Sequence, residues 1–78
     1  MIEWWVMRIV RSREQLSEGV VPADVAAAVA RGDLQVVNGE IVEPIEVYDD
    51  DQEAALIRAQ RETTRTGQPC KVVMNAEI

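Results

Sequence analysis

The dipeptide Asn38-Gly39 constrains this chain more than any other feature. It stands between two short runs rich in β-branched residues, Leu34-Gln35-Val36-Val37 and Glu40-Ile41-Val42. A two-residue type I′ turn needs positive φ at both central positions, and Asn-Gly adopts it more readily than other pairs. The middle of the chain therefore reads as an antiparallel hairpin. Its second arm continues through Ile45-Glu46-Val47-Tyr48. Pro44 has no N–H, so it marks a bend, a bulge or an unpaired edge in that arm.

Upstream, residues 2–11 read as a strand, because Ile2, Trp4, Trp5, Val6, Met7, Ile9 and Val10 are mostly aromatic or β-branched. Side chains alternate across a strand. One side carries Glu3, Trp5, Met7, Ile9 and Arg11, and the other Ile2, Trp4, Val6, Arg8 and Val10. A strand apolar on both sides belongs at the centre of a sheet. Arg8 interrupts the even side, so the odd side is assigned to the core. Trp4, Val6 and Val10 then lie on an open sheet face.

Two helices flank the hairpin. Residues 12–20 form a polar connection with room for one helical turn. A helix then starts at Pro22, a favoured first helical residue, with Asp24 in its first turn and five alanines in its body. Gly32 ends it. The second helix follows Tyr48. Asp49-Asp50-Asp51-Gln52-Glu53 offers a capping aspartate with Gln or Glu three residues on, and Arg58, Arg61 and Arg65 lie in the later turns. Gly67 and Pro69 stop it. Cys70 to Ile78 is the last strand, with Cys70, Val72, Met74, Ala76 and Ile78 on one side.

The order β-α-β-β-α-β over residues 1–78 predicts a single small α+β domain. It is the ferredoxin-like arrangement of a four-stranded antiparallel sheet with two helices on one face. With 78 residues, such a domain buries about 60% of the surface its unfolded chain exposes.

Composition narrows the chemistry. The chain has no histidine and one cysteine, so it holds no internal disulfide, no Cys/His zinc set and no histidine-based triad. Cys70 reads as a small core thiol. The net charge of −6 argues against direct nucleic-acid binding. RNA-binding modules that share this element order stack bases on strand aromatics among basic residues, and here the third strand is acidic. No cofactor-binding motif is present, and no enzyme is expected. The N-terminal apolar run stops at Arg8, too short for a membrane span, so no membrane partner is expected and the cytoplasm is the expected location.

The charge is unevenly spread. Residues 1–31 are balanced, residues 32–57 carry eight acids and no base, and residues 58–78 are net basic. In size and charge the chain is similar to small acidic accessory proteins of phages and mobile elements, a similarity that covers no specific residues. It implies a non-catalytic inhibitor of a basic, nucleic-acid-handling protein, of the anti-CRISPR type. The expected contacts are Glu40, Glu43, Glu46, Asp49, Asp50, Asp51 and Glu53 for the charged surface, and Trp4, Val6 and Arg8 for the open sheet face. The alternative is a self-associating structural or assembly protein, a homodimer through that sheet face.

Overall fold

The computed structural model describes residues 1–77. The elements are β1 (Glu3–Arg11), α1 (Arg13–Glu18), α2 (Ala23–Arg31), β2 (Gln35–Val37), β3 (Glu40–Asp49), α3 (Gln52–Thr66) and β4 (Cys70–Met74), followed by a 3-10 turn at Asn75–Glu77. They build a small α+β domain around a four-stranded antiparallel sheet in the order β2-β3-β1-β4. β1 is central, hydrogen-bonded to β3 on one side and β4 on the other.

The Asn-Gly hairpin forms as expected, with φ 52° at Asn38 and 78° at Gly39. Both longer helices end on a left-handed glycine, Gly32 and Gly67. Other boundaries differ from the sequence expectation. The polar connection holds a real helix, α1. Its Ser12 and Gln15 form a capping box, each satisfying the other's backbone N–H. Pro22 is the residue before α2 rather than its first turn. Asp51 caps α3 by accepting from Ala54 N–H at 3.0 Å, and since Ala54 has no polar side chain there is no reciprocal box. The last strand stops at Met74 instead of running to the C-terminus, and Ile78 lies outside the described residues.

The helices pack on the even side of β1, which was expected to be open, while the odd side expected to be the core is buried as well. Val6 is fully buried against Ala55 and Ala59 of α3, with Trp4, Ile45, Tyr48, Cys70 and Val72 packed around it. Val10 joins Val25 and Ala28 of α2, Leu16 of α1, and Ile41. Both longer helices therefore cover the even side, where Trp4, Val6 and Val10 were expected to be open. Alanines at 55 and 59 are what let α3 approach the sheet closely enough to seal Val6.

The odd side is also a core, without a helix. Met7, Val37, Val42 and Val73, one from each strand, cluster with Trp5 and Ile9, and Met7 and Val42 are fully buried. Lys71 sits opposite Met7 in the register and reaches across β1 to Glu40, with 2.6 Å between Nζ and Oε1. Long side chains can cover apolar surface with their stems while the charged head stays wet.

β1 and β3 each carry an irregularity. Val6 pairs with Glu46 and Met7 with Pro44, so Ile45 is an extra residue in β3. Ile9 pairs with Val42 and Arg11 with Ile41, so Val10 is an extra residue in β1. These are β-bulges, and the bulge in β3 falls beside the proline.

Candidate functional site

The expected acidic surface separates into two groups. Glu40, Glu43 and Glu46 are all taken up by ion pairs inside the fold. Glu40 binds Lys71 on the helix-free face. Glu43 binds Arg8 at 2.6 Å on the helical face. Glu46 lies 3.4 Å from Arg58 of α3. Residues three apart in a regular strand point to opposite faces. The extra residue Ile45 changes the phase, which is why Glu43 and Glu46 share the helical side.

The second group gathers at one end of the sheet. Asp49 ends β3 directly opposite Glu3 of β1. Asp50, at φ 54°, ties down the N-terminal segment: its N–H donates to the Ile2 carbonyl (2.7 Å), and the Ile2 N–H donates to its Oδ1 (2.9 Å). Asp51 caps α3 and Glu53 lies in its first turn. Among the described residues none of these five carboxylates makes an ion pair. Like charges directly opposed across strands cost stability, as at Glu3 and Asp49. The positive end of the α3 dipole offsets part of that cost. Glu3 was not among the expected contacts. Only the register reveals that it faces Asp49.

The residues expected on the sheet face do not form a surface there. Val6 is sealed under α3 and Trp4 packs beside it. Arg8 lies between the two longer helices, and its Nε is buried without a hydrogen-bond partner. With Glu43 it lines two clefts. One, of about 230 Å³, runs toward α2 and is lined by Asp24, Val25, Ala28 and Asp33. The other, of about 240 Å³, runs toward α3 and is lined by Arg58, Glu62 and Arg65. A lone arginine inside an apolar strand was the sequence signal for this gap between the helices.

Glu62 is the buried charge on the α3 side. Arg65 and Arg58 both bind its carboxylate, the latter at 3.2 Å. The hydrogen bond from Arg65 holds its carboxyl below the ordinary carboxylate range against the opposing effect of burial, and Arg58 adds to the lowering. Arg58 is itself held more firmly charged, first by a hydrogen bond to Tyr48 and then by Glu62, while burial works the other way. A carboxylate held this way is a weak proton acceptor near neutral pH. It acts as a latch between adjacent turns of α3.

The sign of its pH effect follows. A carboxyl with a depressed folded-state pKa contributes stability above the ordinary carboxylate value, and that contribution is lost as pH falls through the folded-state value. We expect the melting temperature to fall with acidification below about pH 4.5, and Glu62→Gln to flatten that fall relative to the parent chain. An acid limb of the same slope in both would remove Glu62 as its source.

No protein-family model, no curated protein and no solved structure matches the chain. No helix among the described residues is long and apolar enough to cross a membrane.

Proposed function

We propose that this chain is a non-catalytic protein-interaction module that holds a basic partner surface, one shaped for nucleic acid, as an inhibitor does. The contact is the acidic end built by Glu3, Asp49, Asp50, Asp51 and Glu53. The observation that carries this reading is the division of the acids. The glutamates of β3 are neutralised within the fold, whereas these five are neutralised by no side chain among the described residues. A fold that leaves like charges opposed at its rim keeps a field available for an outside cation. The order β2-β3-β1-β4, with both longer helices on one face, supports a ferredoxin-like βαββαβ scaffold beneath that end.

The test uses a basic partner recovered by pull-down. Binding should weaken steeply between about 50 and 500 mM salt, as the Debye length shrinks from about 14 to 4 Å. Changing Asp49, Asp50 and Asp51 to asparagine removes charge while keeping the local structure, since asparagine caps helices as well as aspartate and tolerates positive φ. With Glu53→Gln added, association should slow more than dissociation speeds up. Changing Glu40, Glu43 and Glu46 to glutamine should instead lower stability and leave association nearly unchanged. A complex indifferent to salt and to the four changes at the acidic end would sink the proposal.

A further inference from the structure

Three of the chain's eight basic residues converge on one cleft. Arg8 of β1 and Arg58 and Arg65 of α3 line the 240 Å³ space on the α3 side of the gap, together with Glu43 and Glu62. Three positive charges thus meet two negative ones in the lining of a chain whose net charge is −6.

The three guanidiniums are not equally engaged. Arg58 meets Glu62, Glu46 from outside the lining, and Tyr48. Arg8 makes one contact, end-on to Glu43 at 2.6 Å. Arg65 directs both of its bonded nitrogens at a single oxygen, Glu62 Oε2. A guanidinium carries more N–H donors than these contacts use. Nη1 of Arg8 and Nη1 of Arg65 have no acceptor among the described residues, and Nε of Arg8 is buried without one.

The fold has no evident need of an arginine at position 8. Val6 and Val10 on the same side of β1 are packed under the helices. An apolar side chain between them would continue that layer, and replacing a partly buried ion pair in this way is often neutral or stabilising. Buried donors left without an acceptor call for an explanation, and a function is a common one. Glu62, with its side chain 10% exposed, is gripped by Arg58 and Arg65 and so fixes where those guanidiniums point. A helix C-terminus repels anions. At this one the Glu62 carbonyl accepts from the Thr66 hydroxyl and the Thr63 carbonyl from the Gly67 N–H, which blunts that field.

We propose that this cleft binds an oxyanion, a carboxylate or phosphate group, between the guanidiniums of Arg8 and Arg65, with Glu43 and Glu62 orienting them. Arginine suits such groups because its planar fork meets two oxygens at once. The neighbouring cleft toward α2 is excluded as the site, because Asp24 and Asp33 line it. The acidic end plays no part: it lies at the opposite end of α3 and takes the opposite charge.

The probes are inorganic phosphate and acetate, each titrated into the full chain at constant ionic strength against chloride. Arginine Nε–H signals in 15N–1H spectra give the readout. Those of Arg8 and Arg65 should shift and saturate at about 1–10 mM, the range of a single weak site. The signal of Arg13, whose guanidinium bonds the Asn38 carbonyl outside the cleft, should not move. Saturation by phosphate alone assigns a phosphate group, and by acetate alone a carboxylate. Arg65→Gln, at a side chain 68% exposed, should weaken binding at least about tenfold, read at Arg8. Should that variant fail to fold, the parent titration decides alone. Shifts that chloride reproduces, that do not saturate, or that persist undiminished in folded Arg65→Gln overturn the proposal. None of these outcomes bears on the acidic end, which is tested with a basic partner.

Discussion

Val6→Asp and Met7→Asp should each unfold the chain, although the two side chains point to opposite faces of one strand. Both are fully buried. Val6 is closed over by Ala55 and Ala59, and Met7 by strand side chains alone. A carboxylate placed in either site has no partner and loses its water, which costs several kcal/mol. A chain of this length has a total stability of roughly 4–12 kcal/mol, so one such change removes a large part of it. Circular-dichroism melts should show no cooperative transition for either variant, whereas Val36→Asp, at a site 62% exposed, should melt like the parent. If Met7→Asp kept a normal transition while Val6→Asp lost it, the helix-free side would not be a core.

Ala55→Leu should be the most damaging conservative change in α3. Ala55 is fully buried in the cluster it forms with Val6 and Ala59. The extra carbons have no cavity to enter, so the helix must lift or the strand must shift. Overpacking of this kind costs about 1–3 kcal/mol. In a domain this small each kcal/mol lowers Tm by about 4–8 °C. Ala27→Leu, on the exposed side of α2, is the control and should leave Tm nearly unchanged. A Tm for Ala55→Leu at or above the parent value would mean that α3 sits farther from the sheet than described.

Local signals in the sequence were reliable where one residue type answers one backbone need. Asn38-Gly39 turned the hairpin, and Gly32 and Gly67 ended their helices in the left-handed conformation. The capping-box spacing, by contrast, pointed to Asp49 or Asp50, with Gln52 and Glu53 three residues on, whereas Asp51 caps α3 without a reciprocal partner. The side of β1 that faces the helices was not legible. Alternation divides a strand into two faces but does not say which one the helices take, and here both are apolar. Arg8 was read as a mark of exposure, yet it is accommodated by Glu43 in the gap between α2 and α3. The candidate site was legible as a charge excess over residues 32–57. What composition cannot show is which acids meet a cation at long range, as Glu40 meets Lys71 across 31 positions. The two irregularities in the β1–β3 ladder moved those partners further from any simple count of alternation.

The extra residue in β3 makes that strand two half-strands running in opposite phase. Up to Ile45 its odd-numbered side chains face the helices, with Ile41 serving the α2 cluster and Glu43 closing on Arg8. From Glu46 onward the even-numbered ones do, with Glu46 and Tyr48 serving α3. In evolutionary terms this makes Ile45 a seam. Ile41 before it serves the α2 cluster, Glu46 and Tyr48 after it serve α3, and Glu43 borders both helices. Loss or gain of a single residue between Glu43 and Glu46 would turn one half of the strand inside out relative to the other.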